Sequence, residues 1–233
     1  DVGGELMTWA LIASTRAVDS VTLDTTGANL LVVAFLGYAA SLASWDSRSG
    51  NTWVKLTERL AGGARMTIAY CLNPTNTGTG HTLTDPNAGG QNADLHFYAF
   101  SAPGSTSFAS SSASDDGSFQ GTNTKNAGYV GSLSLTPPSN DSLIFCASCG
   151  ITGSGSTSGY SVGSSFTLGH QNAATTTNYG GASAYLNQAT AAAVDPTISW
   201  TGSSRWVAQI TVFTTSGGGG GGFLGLVTGD PSH

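Results

Sequence analysis

Charge is what this chain has least of. Only 9% of its 233 residues are Asp, Glu, Lys or Arg, against about 25% in an ordinary soluble domain. Seven basic residues stand against 13 acidic ones, a formal net charge of −6. Such a chain has no basic footprint for a phosphate backbone, which excludes nucleic acid and an anionic membrane surface as partners. Cysteine is nearly as scarce, and three cannot all pair. Cys146 and Cys149 have the spacing of a redox or zinc pair. In a strand, however, residues i and i+3 point to opposite faces, and no second Cys pair or spaced His pair completes a zinc set. They are expected to be buried thiols acting as small core hydrophobes, made in a reducing compartment. No charged-then-apolar leader opens the chain; Met7 reads as a natural start and residues 1–7 as an N-terminal extension. A capped 3.6-residue helical pattern is missing throughout. The longest apolar run, Leu30 to Tyr38, is far too short to span a bilayer as a helix.

That run is nevertheless the organising element. Thr26, Gly27, Ala28 and Asn29 make a turn before it, and its Val and Phe content argues for a strand buried on both faces. It recurs. Residues 136–149 again set a polar turn before a buried apolar run. Residues 67–73 are echoed by 182–188, 81–84 by 196–199 and 95–100 by 208–213, at offsets of 113 to 115 residues. Order and offset kept through four elements identify one structural unit present twice. The expected fold is all-β, a jelly-roll-like β-sandwich built from two similar halves, either two half-barrels or sheets closing over one core, with one sandwich and two adjacent ones both open. The first half spans 8–102 and the second 129–216. A Ser/Gly-rich connector at 103–128 holds one short strand, near Ser107 to Ser112.

After Ser216 come six glycines and then an apolar knob, Phe223, Leu224, Leu226 and Val227. Six glycines lose much backbone entropy on ordering. The tail, 217–233, is therefore expected to be an assembly device that docks its knob on a neighbouring copy, the alternative being a tail that folds back to cover its own sheet edge.

Chemistry is thin. Hydrolysis needs a nucleophile with a base, a facing carboxylate pair or a metal. His81, His96, His170 and His233 share no motif with one another or with a Ser nucleophile, and His96 alternates with Leu95 and Phe97 in a strand. Asp24, Asp46, Asp141 and Asp195 sit at strand entries or turns, where Asp commonly bonds backbone N–H groups. A Ca²⁺ site on Asp46 with Asn51, or on Asp115 with Asp116, lacks a dense alternation of oxygen ligands. No catalytic residue, metal or cofactor is therefore assigned. Trp45, Trp53, Trp200, Trp206 and Tyr160 remain as aromatics able to stack on sugar or to fill a core.

Residues 25–34, the loop from Asp46 to Trp53, the segment running through Tyr70, Asn73, Pro74, Gly78, Gly80 and His81, and the ending at Trp200 and Ala208 to Ile210 together carry a resemblance. From residue 8 to 215 the chain resembles a diffuse group of uncharacterised β-sandwich proteins encoded in bacterial and tailed-phage genomes. The resemblance transfers no functional residue. It implies a jelly-roll-like sandwich in a virion-structural setting. The expected function is that of a non-enzymatic virion protein of the head-decoration (cement) or fibre type. It would act through contacts with copies of itself, in a homo-oligomer such as a trimer, and with other virion proteins. The alternative is a carbohydrate-binding module or adhesin at the cell surface, binding glycan through Trp45, Trp53, Asp46 and Asn51.

Overall fold

A computed structural model describes residues 8–37, 45–85, 93–115, 135–152, 156–163, 165–175, 178–202 and 204–216. The expected extension at 1–7, most of the connector, and the tail with Phe223, Leu224, Leu226 and Val227 lie outside the described residues.

The first half runs β1 (Ala10–Val18), β2 (Ser20–Leu23), β3 (Leu30–Leu36), β4 (Trp53–Lys55), β5 (Arg59–Ala61), β6 (Ala64–Leu72), β7 (His81–Thr84) and β8 (Asp94–Ser101). The second runs β9 (Ser105–Asp115), β10 (Ser142–Ile151), β11 (Ser158–Val162), β12 (Thr167–Asn172), β13 (Gly180–Gln188), β14 (Ile198–Thr201) and β15 (Arg205–Ser216). One large antiparallel sheet has the order β1-β8-β3-β6-β4, with β5 also on β6; the other has the order β9-β15-β10-β13-β12. Strand for strand, the two orders match. Register matches too: Leu30 faces Phe100 across β3 and β8, and Leu143 faces Phe213 across β10 and β15. In the first half β1 pairs β8, β2 pairs β7 and β3 pairs β6, the nested pairing of a jelly roll.

The halves do not close over a single core. Two-strand sheets, β2–β7 and β11–β14, cover the outer faces of the large sheets, so four layers enclose three cores. The organising strands show why. Leu30, Val32, Ala34 and Leu36 of β3 meet Leu143, Phe145, Ala147 and Cys149 of β10 in the central core. Leu31, Val33 and Phe35 point the other way, under β2 and β7, and Ile144 and Cys146 point under β11 and β14. A strand apolar at every position needs a layer on each side. Cys146 and Cys149 diverge to different cores, as their spacing requires, and all three thiols are free and buried.

Contacts between the halves repeat about a pseudo-twofold axis. Tyr70 meets Phe213 with ring centroids 5.3 Å apart at 72°, and its counterpart Tyr185 meets Phe100 at 5.4 Å and 69°. Asn73 Nδ2 donates to the Thr106 carbonyl at 3.0 Å, and Asn187 Nδ2, one position before Asn73's counterpart Gln188, donates to the Trp9 carbonyl at 2.8 Å. Two details differ from the sequence reading. The strand echoing His81–Thr84 begins at Ile198, beyond Pro196, which has no N–H to give a ladder. The strand expected in the connector is the 11-residue β9, the edge strand of the second large sheet.

Candidate functional site

Three of the four residues proposed for glycan contact converge. Asp46 makes an isolated bridge to Leu83 in β7 and turns its carboxylate inward. Its Oδ1 accepts from the Arg48 backbone N–H at 2.7 Å, an Asx turn, and lies 2.7 Å from His81 Nε2. Its Oδ2 accepts from Trp53 Nε1 at 2.7 Å and Asn51 Nδ2 at 3.2 Å. Burial acts to raise the Asp46 pKa, but the bonds from His81, Trp53 and the Arg48 backbone outweigh it and hold the carboxyl below its ordinary value. With all four directions engaged by nitrogen partners, Asp46 has no lone pair to give a cation, and among the described residues no group of three His, Cys, Asp or Glu could hold one.

From this hub the loop zips onto the β6–β7 connection. Arg48 donates to Asn76 Oδ1 at 3.1 Å and to the Thr77 and Thr79 carbonyls at 3.4 and 2.5 Å. Asn51 Nδ2 donates to the Asn76 carbonyl at 3.0 Å, and Asn51 Oδ1 receives the Asn76 N–H at 3.0 Å. Gly78, at φ +146°, lets the guanidinium lie against its backbone, since a Cβ there would meet Arg48 at 3.1 Å. Trp45 is not beside these groups but beneath them. It is 2% exposed, with Phe35 at 4.8 Å and Trp53 at 4.6 Å between ring centroids, so it presents no stacking face. Trp200, Trp206 and Tyr160 are likewise core residues, under the second outer sheet. Of the five aromatics only Trp53 is partly open.

A second polar cluster lies where sequence reading saw only a strand. Asp94, His96 and Tyr98 alternate along β8 and face the other half, while Leu95, Phe97 and Ala99 face the outer core. Arg16 Nε donates to Asp94 Oδ1 and Oδ2 at 2.8 and 3.0 Å. His96 Nε2 lies 3.2 Å from Asp94 Oδ2, its Nδ1 lies 2.7 Å from Ser183 Oγ on β13, and Tyr98 Oη lies 2.6 Å from the same Oγ. One proton arrangement satisfies every member. Tyr98 donates to Ser183, Ser183 to His96 Nδ1, and His96 Nε2–H with Arg16 to Asp94. The order Asp, His, Ser has the connectivity of a hydrolytic triad. Asp94, His96, Tyr98 and Ser183 are each 0% exposed, however, so a substrate carbonyl has no approach to Ser183 Oγ. What the chain of bonds does is tie the two large sheets together. His170 on β12 packs beside it, 5.8 Å from His96 between ring centroids, and is pushed down to about 4 by burial and then by His96. The legible signal was three polar residues at period two inside an otherwise apolar strand.

Comparison of the chain with protein-family models, curated proteins and solved structures finds no match.

Proposed function

We propose that this protein is a non-enzymatic structural component of a virion, of the head-decoration or fibre type, which works through contacts with copies of itself and with other particle proteins. The observation that carries the reading is how its scarce polar groups are used. Asp94, His96 and Ser183 link the halves inside the core, as do Gln209 and Arg205. Gln209 Oε1 receives the Ile68 N–H at 2.9 Å and its Nε2 donates to the Thr57 carbonyl at 2.6 Å, while Arg205 donates to the Gly62 carbonyl at 2.8 Å. Two sandwiches braced in this way form a stiff block, suited to bearing load between neighbours. Reading the Trp45–Trp53 loop as a glycan platform draws less support, because Trp45 is enclosed and Asp46 is fully engaged. Light scattering on the full chain and on a chain ending at Ser216 tests the assembly reading. A trimer or larger species that falls to monomer on truncation supports it, and a monomer in both cases removes it.

A further inference from the structure

The pseudo-twofold relation makes each half a control for the other, and at one place they differ. Val54 pairs with Tyr70 on β6, and Thr167 pairs with Tyr185 on β13, so Trp53 corresponds to Phe166. In the first half the long loop before Trp53 lays Arg48 and Asn51 across the β6–β7 connection. In the second half only Gly163, Ser164 and Ser165 separate Val162 from Phe166 in sequence, and none of them is Arg or Asn. The corresponding place, between Ser165–Phe166 and the β13–β14 connection, is an open groove of about 590 Å³, within the ~300–1,000 Å³ typical of ligand sites.

Its walls are fixed without an occupant. Leu135 and Val194 exchange two backbone hydrogen bonds at 2.9 Å, and the Ala191 N–H donates to Asn140 Oδ1 at 2.8 Å. Gln188 donates its amide to the Ala192 carbonyl at 2.9 Å, which leaves Gln188 Oε1 buried without a hydrogen-bond partner. Phe166, Leu186 and Val194 give the groove an apolar strip, and Asp195 sets an exposed carboxylate at its rim. No Lys or Arg is among the described residues that line it. Among the described residues an anion would meet only Asp195 as a charged group, and one carboxylate does not make a metal site. The Ala192 and Val194 carbonyls, counterparts of the Thr77 and Thr79 carbonyls that receive Arg48, already accept from Gln188 and Leu135. What the groove adds is the unpartnered Gln188 Oε1 and one negative charge over an apolar floor, a match for a donor-rich cation with a flat apolar face.

We propose that this groove docks an arginine-bearing loop of a partner polypeptide, the guanidinium lying between Phe166 and Asp195. The guanidinium suits the place because it is planar, carries five donors and stacks on an aromatic face such as Phe166. The source of the arginine, a neighbouring particle protein, rests on the assembly reading; the chemistry of the groove does not.

The test is NMR shift mapping on the full chain with L-argininamide, with L-lysinamide and a neutral glucose hexaose as comparison probes. Argininamide is expected to move the signals of Phe166, Asn187 and Asp195, about tenfold more tightly than lysinamide. Asp195→Asn, an exposed change that leaves the fold intact, is expected to weaken argininamide about threefold, as loss of one exposed ion pair should, whereas Glu58→Gln leaves it unchanged. No shift at these residues, equal response to lysinamide, or indifference to Asp195→Asn overturns the proposal. A hexaose that moves the same signals while argininamide does not makes the groove a saccharide site and overturns it too. These outcomes are independent of the oligomeric state that tests the assembly reading.

Discussion

Replacing Asp94 by Asn removes the one negative charge in the network that ties the halves. Asp94 is 0% exposed and receives Arg16 Nε at 2.8 Å, with His96 Nε2 3.2 Å away. Breaking a buried ion pair by changing one partner costs about 3–5 kcal/mol, because the other charge is stranded. Arg16 keeps 28% of its side chain exposed and so remains partly hydrated, which places the expectation at the low end, about 3 kcal/mol. For a chain of this size that is a fall in Tm of about 6–12 °C. Thermal unfolding followed by circular dichroism measures it, and urea titration checks that the m-value is unchanged, so that the loss belongs to the native state. Glu58→Gln is the control. Its contact with Arg65 is 3.9 Å long with both side chains about a third exposed, and such a pair contributes about 0–1 kcal/mol. If Asp94→Asn lowers Tm no more than Glu58→Gln does, the network does not brace the halves and the argument for a stiff block fails.

Gln209→Ala leaves the buried Ile68 N–H without its acceptor and is expected to cost about 1–3 kcal/mol in the same unfolding assay. Gly169→Ala would set a Cβ into Tyr98 Oη; it should displace the Tyr98–Ser183 bond and lower Tm, where an unchanged Tm would show that the strand yields freely. Acid should destabilise the fold in two steps. The unfolded state protonates its histidine at 170 near 6.5 while the folded state resists until about 4, so stability declines as pH falls through that window and His170→Gln should flatten the decline. Asp46, held below 3.8 in the fold, adds a second loss at lower pH as its carboxylate is protonated. The native thiols should not react with Ellman's reagent at neutral pH, because burial raises all three and pushes Cys71 up to about 11.

Much of the fold was legible because it rests on rules local to the strand. A run such as Leu30–Leu36 must be covered on both sides, and its return 113 residues later fixes a second such strand. The divergence of Cys146 and Cys149 followed from period two alone. What failed to show was whatever depends on which faces meet. Trp45 and Trp53 flank one loop symmetrically in sequence, yet Phe35 and the outer sheet enclose the first and leave the second half-open. Asp94, His96 and Tyr98 lie in a strand with four apolar neighbours, and only the approach of β13 with Ser183 turns their alternation into a network. The open groove was invisible for the same reason. It exists as the difference between two loops that only the pairings of β4 and β12 align.

The contact between the halves has the logic of a twofold dimer, in which a residue of one copy meets its partner's counterpart and the reverse. Ile68 corresponds to Ser183 and His96 to Gln209 by the same offsets of 115 and 113 residues that relate the strands. His96 bonds Ser183 across the interface, and Gln209 bonds the Ile68 N–H across it in the opposite direction. Position for position the tie is the same, while the chemistry has diverged: an imidazole between hydroxyl and carboxylate on one side, an amide receiving a backbone N–H on the other. In each tie His96, Ser183, Gln209 and the Ile68 N–H all have partners, and an orphaned donor or acceptor there would cost about 1–3 kcal/mol. The outer loops carry no such constraint. Arg48 could be present in one half and absent in the other without leaving a buried charge. Function is therefore to be sought where the pseudo-symmetry breaks at the surface, and the groove at Phe166 and Asp195 is such a place.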